Sequence, residues 1–156
     1  MDAPLAQFEE SLKRIRAAAQ KVGIQLNRVI TSQDDQAVEA QKLLIVTGLP
    51  RGFTEWQLPV WLDRPSELFI TLAAPNTAVP EHSHDAGDGI RFIAGGSIIY
   101  DGRELTAGDW LYIPAGVKYS FKVGPLGATM CYCYCCCAGP AHLASGVVNP
   151  RVTAGA

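Results

Sequence analysis

The sequence PEHSHDAGD, residues 80–88, places two histidines two positions apart on a segment with the pattern of a strand. Because alternate residues of an extended chain leave from the same face, the imidazoles of His82 and His84 are expected to converge on one point. Two imidazoles and a carboxylate are the usual ligands of an open non-haem iron site. By itself the stretch is compatible with a metal site, although two histidines near acids are more often surface or packing residues. The nearby acids are Glu81, Asp85 and Asp88.

The chain around this stretch consists largely of short extended runs separated by Pro, Gly, Asn and Asp. Such spacing is typical of a β-sandwich or a β-barrel. The dipeptide Asp101-Gly102 is the strongest hairpin signal, because both residues tolerate the positive φ of a type I′ turn. The predicted strands are 57–61, 67–73, 79–84, 90–94, 97–100, 110–113, 118–123 and 129–137.

The N-terminal part of the chain has a helical pattern instead. Apolar residues recur at steps of three and four over residues 2–22, and Gly23 is placed to end the helix. A second helix is predicted over about 31–44, since Asp34 and Asp35 suit the positive end of a helix in its first turn. The sequence thus predicts two helices before the β-rich part.

Residues 76–95 hold the histidine pair within a longer spaced pattern. It reads Asn76, five residues, His82-Ser83-His84, three residues, Asp88, six residues, Gly95. Asparagine is the non-glycine residue that best accepts a left-handed backbone, so Asn76 suits a tight turn.

Residues 108–119 form a second spaced pattern. It reads Gly108, five residues, Pro114-Ala115-Gly116, two residues, Tyr119. The two patterns together resemble the signature motifs of the cupin superfamily, in which Gly, Glu and His stand at the places of Asn76, Asp88 and Tyr119. The resemblance covers about residues 68–137.

This resemblance implies a mainly β fold, an antiparallel jelly-roll β-barrel with the motif residues facing an interior cavity. The N-terminal helices are expected to pack outside the barrel or to cap one end. We expect a helical segment over 1–46, the barrel over 47–145, and a tail or surface strap over 146–156. A homodimer is the usual arrangement for such barrels, and a small-molecule substrate is the expected ligand.

The resemblance also implies a divalent metal, for which we expect Fe(II), with Ni, Zn or Mn as alternatives. Its ligands are predicted to be His82, His84 and Asp88. Because Asp is one methylene shorter than Glu, a bridging water or Glu81 is the alternative to direct contact by Asp88. A tyrosine is a poor ligand for a soft divalent ion, so Tyr119 is the predicted catalytic residue, donating a hydrogen bond or a proton to the substrate.

Arg91 and the cysteine run are two further candidates for the site. Arg91 follows the acidic turn. Its side chain could face the cavity and hold an anionic substrate, or lie on the surface in solvent or in a salt bridge. The sequence favours the surface position. The five cysteines lie within residues 131–137, an odd number that matches no secreted disulfide framework and predicts reduced thiols. Cys133 and Cys136 point apart on a strand, so zinc-finger geometry is excluded. We expect a buried cysteine-lined face, with thiols in the cavity as the alternative.

The composition of the chain argues against several classes of binding partner. The chain has 156 residues and a net charge of −2, which suits one core and provides no basic surplus for nucleic acid or anionic membranes. No apolar run approaches the roughly 18 residues that a membrane helix needs. The N-terminus lacks the pattern of a secretion signal, so we expect a cytoplasmic protein.

The leading functional prediction is a metal-dependent cupin enzyme acting on a small organic molecule, most simply a non-haem iron dioxygenase. Three alternative functions stay open. In the first, the metal acts only as a Lewis acid in an isomerase or lyase. In the second, the barrel binds or senses a small molecule without catalysis, and in the third, a histidine and Tyr119 perform metal-free acid–base catalysis as in sugar epimerases.

Overall fold

The computed structural model describes residues 3–52, 54–62, 66–85, 87–135 and 142–143. Both predicted helices precede the long strands, but a short strand that was not predicted lies between them, and the second helix begins at Asp35 instead of near residue 31. Their bounds are α1 Ala3–Val22, β1 Ile30–Thr31, α2 Asp35–Leu43, β2 Ser66–Ala73, β3 Ala78–Ser83, β4 Gly89–Tyr100, β5 Arg103–Thr106, β6 Trp110–Ile113, β7 Tyr119–Cys135 and β8 His142–Leu143.

The strands form one curled antiparallel sheet in the order β1-β6-β4-β7-β3-β8. Strand β2 joins it by pairing with β7, and β5 by pairing with β4. The long strand β7 pairs with β3 through its first residues, with β2 through its last, and with β4 along most of its length. The predicted antiparallel, mainly β fold is confirmed.

Two long strands replace four shorter predicted ones. Residues 90–94 and 97–100 belong to β4, and residues 119–123 and 129–135 belong to β7, while residues 136–137 lie outside the described residues. The register of β4 on β7 shifts near Gly95 and Gly96 instead of breaking. Gly96 has φ +66°, which glycine adopts without strain, so the strand bulges and bends where the sequence predicted an end.

Local turn predictions agree with the structure more closely. Asp101 and Gly102 have φ of 48° and 74°, as the type I′ hairpin between β4 and β5 requires. Asn76 has φ of 60°, the left-handed conformation expected where the motif has glycine. Residues 57–61, where a strand was predicted, are described but form no strand. Pro59 lacks the N–H that a sheet ladder needs.

Apolar side chains form two clusters on opposite faces of the sheet. The inner cluster fills the barrel with Ile93, Ile98, Leu105 and Val123, all fully buried. The outer cluster joins Ile30, Ala37, Val60, Trp110 and Tyr112, so that β1, α2 and the segment around residue 60 cover the outside of β6. The N-terminal region thus packs on the barrel and also adds β1 to its sheet. In the part of the chain described, no helix is long and apolar enough to cross a membrane.

Candidate ligand site

The histidine pair lies inside the barrel on and just after β3. His82 and His84 are 6% and 7% exposed, and their ring centroids are 5.0 Å apart. His82 Nδ1 lies 2.9 Å from the carbonyl oxygen of Pro80. Since a carbonyl only accepts, Nδ1 of His82 donates this hydrogen bond.

Tyr119 starts β7 directly opposite His82 in the register. Its hydroxyl oxygen is 3.0 Å from His84 Nε2, and the side chain is 3% exposed. Its ring packs 4.4 Å from that of His82 between centroids. The structure therefore brings together the two motif histidines and the tyrosine that stands in place of the second motif's histidine.

Arg91 completes this cluster from β4. Its side chain is buried, with Nη2 3.4 Å from the Tyr119 hydroxyl and Nη1 3.7 Å from the sulfur of Met130. Its guanidinium carbon lies 4.2 Å above the Tyr132 ring and 5.2 Å above that of Phe121, within cation–π range. The surface position favoured from the sequence is wrong, because β4 turns this residue inward together with Ile93.

The surroundings decide the protonation of His84. Burial, then the neighbouring His82 and Arg91, lower the pKa of His84 from 6.5 to about 4, against a small opposing effect of Asp85. The ring is therefore neutral at pH 7. Arg91 donates to the Tyr119 oxygen, so we assign the Tyr119 proton to the bond with His84 Nε2.

Asp88 has a different position from the one predicted for a metal ligand. Its Oδ2 accepts a 2.7 Å hydrogen bond from the Tyr112 hydroxyl and its Oδ1 a 2.8 Å bond from the Ala115 amide. Both oxygens thus hold the turn before β4 against the second motif, and neither of these two hydrogen bonds involves the histidines.

The other acids near the motif have partners of their own. Glu81 is exposed and lies 3.6 Å from Lys118 Nζ. Asp85 accepts a 2.8 Å hydrogen bond from the Ser83 hydroxyl. Neither carboxylate replaces Asp88 in the cluster.

These contacts decide whether a divalent metal fits the cluster. Among the described residues, no group of three His, Cys, Asp or Glu side chains is arranged to hold one. Two imidazoles are present, but Asp88 is engaged elsewhere and the cationic Arg91 lies beside Tyr119, where it would repel a second cation. The described donors do not fit the predicted metal, and the iron site stays a prediction from resemblance.

The cysteines lie on the other side of the sheet from this cluster. Tyr132 points inward and is 8% exposed, so Cys131 and Cys133 point outward, where both are partly exposed. The expected buried cysteine-lined face is wrong for these two residues, and neither lines the cavity. The remaining cysteine side chains, 135–137, lie outside the described side chains.

The sequence did not predict that Arg91 lies inside the barrel against the rings of Phe121 and Tyr132. Arg91 pairs with Tyr132 across β4 and β7, and Ile93 pairs with Met130 one step further along the same inner face. The available signal was parity, since Arg91 is two residues from the apolar Ile93 and must share its face on an unbroken strand.

Comparisons with known proteins place the fold in context. No protein-family model matches the chain, and no curated protein is a significant match. Among solved structures the chain is similar to an uncharacterised conserved protein with a double-stranded beta-helix domain from Klebsiella pneumoniae, at 22% identity and a TM-score of 0.46, over 56% of this chain and 76% of that one. A cupin protein from Bacteroides fragilis is similar at 27% identity and a TM-score of 0.38, over 58% and 81%. A protein of unknown function with a cupin-like fold from Ralstonia eutropha is similar at 22% identity and a TM-score of 0.41, over 49% of each chain.

The fold rests on observations within this chain. Both spaced motifs lie on the antiparallel sheet, Asn76 adopts the left-handed turn of the first, and the first motif's histidines face the barrel interior. The chain thus has an antiparallel, mainly β fold with a tyrosine, Tyr119, where the second of the cupin-like motifs has its histidine.

Proposed function

We propose that the barrel binds a small organic anion, most simply a carboxylate, through Arg91. The observation that carries this proposal is a buried guanidinium with no counter-ion among the described side chains. Arg91 is 7% exposed, and none of the ion pairs among the described side chains includes it. An isolated buried charge is strongly unfavourable, and an anionic ligand would supply the missing partner.

The neighbours of Arg91 leave part of its hydrogen-bonding capacity for a ligand. Its contacts with Met130 and the Tyr119 hydroxyl are long, at 3.7 and 3.4 Å, and its buried Nε has no hydrogen-bond partner among the described residues. A carboxylate accepts two parallel bonds from one guanidinium edge, which is the geometry Arg provides and Lys does not.

The rest of the cluster would orient such a ligand. Tyr119 and the neutral His84 form a polar pair beside the guanidinium, while Phe121 and Tyr132 provide aromatic surface for an organic group. Phe69 follows Tyr132 on the same inner face and is 47% exposed, so this face reaches solvent at β2. A ligand would enter past Phe69 and meet Arg91 with its charged end.

The test uses carboxylates matched to their uncharged amides, namely acetate, benzoate and succinate against acetamide, benzamide and succinamide. Thermal unfolding and isothermal titration would be measured with wild-type protein, Arg91→Gln and Arg91→Lys. We expect at least one carboxylate to stabilise the protein and its amide not to, Arg91→Gln to abolish the effect, and Arg91→Lys to weaken it roughly tenfold or more. Arg51→Gln, at an exposed arginine, is the matched control and should leave binding unchanged.

Two results would contradict the proposal. One is that no carboxylate of the set binds and native mass spectrometry of the purified protein detects no anion. The other is that the carboxylates bind equally well to Arg91→Gln, which would locate them elsewhere.

Metal-free acid–base chemistry is the second candidate, because the neutral His84 contacts the Tyr119 hydroxyl and the ring of His82 packs beside both. His82 would take a proton from the carbon next to the carboxylate and return one from solvent. Incubation of the bound carboxylate in D₂O tests this, since NMR would show deuterium at that carbon with wild type and none with His82→Gln. The iron dioxygenase predicted from resemblance is not part of this proposal, because the described donors do not fit the metal it needs.

A further inference from the structure

Two thiols lie side by side on the outer side of β7. Cys131 and Cys133 are both partly exposed, and Tyr132 between them points inward, with its ring centroid 4.2 Å from the guanidinium carbon of Arg91. Because side chains alternate along a strand, both sulfurs leave from the face opposite to Tyr132. These two residues, Cys131 and Cys133, are called the thiol pair below.

The pairing of β7 with its neighbours fixes the spacing of the thiol pair. Each residue of the pair has a ladder partner on both sides, namely Ile70 and Leu68 on β2 and Phe92 and Ile90 on β4. A strand held by ladders on both sides keeps its extended length. The Cα atoms of Cys131 and Cys133 are therefore about 6.7 Å apart, which is two steps of the strand rise.

This spacing suits an ion between the sulfurs and not a bond between them. A disulfide needs Cβ atoms about 3.5–4.5 Å apart, whereas the Cβ atoms of two side chains that leave a strand in parallel are separated by about the full 6.7 Å. A thiolate binds a metal ion at about 2.3 Å, so two sulfurs on opposite sides of one ion are about 4.6 Å apart. Each sulfur reaches that separation by leaning about 1 Å towards the other, which rotation about the Cα–Cβ bond provides.

The surroundings of the thiol pair select the class of ion. All four ladder partners have hydrocarbon side chains, so sulfur is the donor that these two rows of the sheet offer. In the described part of the chain no group of three His, Cys, Asp or Glu side chains is arranged to hold an ion, and Zn(II) at a structural site takes four ligands. Cu(I) is a soft ion that prefers thiolates and accepts two of them in a line.

We propose that Cys131 and Cys133 bind one Cu(I) ion between their sulfurs. Each thiol gives its proton to solvent as its sulfur binds the ion, and no electron is transferred. The aligned apolar side chains of β2 and β4 lie about 5 Å away across the strands and form the surround of the ion. The thiol pair lies on the face opposite to Arg91, so this site does not depend on the proposed function.

The first experiment isolates the thiol pair from the rest of the cysteine run. A variant with Cys135→Ser, Cys136→Ser and Cys137→Ser keeps the pair alone. Anaerobic titration with the acetonitrile complex of Cu(I), in competition with a chromogenic Cu(I) chelator, measures stoichiometry and affinity. We expect one Cu(I) per chain, and we expect the further change Cys133→Ser to weaken binding by about a hundredfold or more, since loss of even an outer-shell partner costs about 10–100-fold.

The converse variant, Cys131→Ser with Cys133→Ser, is the matched control. It keeps the three cysteines at 135–137 and should bind Cu(I) more weakly than the variant that keeps the thiol pair. The proposal is overturned if the converse variant binds Cu(I) as tightly or more tightly, or if Cys133→Ser leaves the affinity of the isolated pair unchanged.

The second experiment uses the wild-type chain and keeps the proposal testable if a variant fails to fold. Thiol alkylation is mapped by mass spectrometry without metal, with one equivalent of Cu(I), and with one equivalent of Zn(II). We expect Cu(I) to slow alkylation of Cys131 and Cys133 about tenfold, as an occupancy of about 90% provides, and Zn(II) to leave both rates unchanged. Protection by Cu(I) that is confined to the cysteines at 135–137, or equal protection of the thiol pair by Zn(II), would contradict the proposed site.

Discussion

On one part of β4 and β7, polar side chains face the barrel interior and apolar side chains face outward, which is the reverse of the usual arrangement. Inward, Arg91 and Tyr132 are 7% and 8% exposed, and outward Phe92 and Cys131 are partly exposed. Polar groups are usually buried only when other groups compensate them, and large apolar groups are usually covered. A ligand anion, as proposed above, would compensate the buried charge of Arg91, whereas the outer face leaves apolar side chains in solvent.

The same strands also show where the usual arrangement holds. Two residues beyond Arg91, Ile93 is fully buried in the inner cluster, while Ile70 on the outer face is 64% exposed. The barrel interior therefore has a fully buried apolar half, which stabilises the fold, beside a half that contains the buried polar side chains of the cluster.

The largest expected effect on the free energy of unfolding comes from comparing the same substitution, Ile to Ala, on the inner and outer faces. Ile93→Ala removes fully buried atoms and should lower the free energy of unfolding by about 3–4 kcal/mol. Ile70→Ala should lower it by about 1 kcal/mol or less in dilute protein, because that side chain is mostly in solvent already. Urea titration of both variants measures the difference, and equal losses would mean that the two faces do not differ as described.

Acid sharpens the comparison within the polar half. The lowered pKa of His84 means that the unfolded chain binds a proton near pH 6.5 that the folded chain binds only near pH 4. The free energy of unfolding should therefore be fully retained above pH 6.5 and fall as the pH drops, by up to about 3 kcal/mol near pH 4. Urea titrations at successive pH values would measure this loss.

His84→Gln provides the control for the acid prediction. Glutamine does not titrate, so the fall between pH 6.5 and 4 should be smaller by about the same amount. A pH profile that is unchanged in this variant would assign the acid sensitivity to other groups.

Much of the fold could be predicted from the sequence because its signals are local. Asp101-Gly102 forms its turn from two adjacent residues, and Asn76 needs only its own backbone preference. The spacing of His82 and His84 fixes a shared face wherever the strand lies. These features depend on no distant part of the chain.

The site was only partly predictable because its contacts join distant residues. The direction of Asp88 depends on Tyr112 and on the Ala115 amide, more than twenty positions away, and no local pattern reports such contacts. Arg91 was assigned to the surface by its charge, although its parity with Ile93 places it inside. Charge and parity conflicted at this position, and the strand register decided the outcome.

A smaller effect is expected where Tyr132 packs beside Arg91. A Cβ added at Gly89 would lie 2.5 Å from the Tyr132 hydroxyl oxygen, so Gly89→Ala must displace that buried ring. We expect a loss of about 2 kcal/mol in the free energy of unfolding, with weaker carboxylate binding as Arg91 loses its aromatic support. Gly95→Ala is the matched control, since its nearest contact would be an ordinary 3.9 Å from the Thr129 Cβ. Equal effects at both glycines would show that the crowding at Tyr132 does not matter.

The smallest effect separates the structural position of Asp88 from the metal role predicted for it. Asp88→Asn keeps the side-chain shape but loses the charge that strengthens the bonds from Tyr112 and Ala115, so the free energy of unfolding should fall by about 1–2 kcal/mol. Asp85→Asn, whose carboxylate bonds only to Ser83 among its described contacts, should change it by less than about 0.5 kcal/mol. Both values should be the same with and without a chelator, because neither carboxylate lies with the histidine pair. If chelation instead lowered the stability of wild type, and Asp88→Asn removed that sensitivity, the predicted role of Asp88 as a metal ligand would be upheld and the anion-binding cluster would need a cation in it.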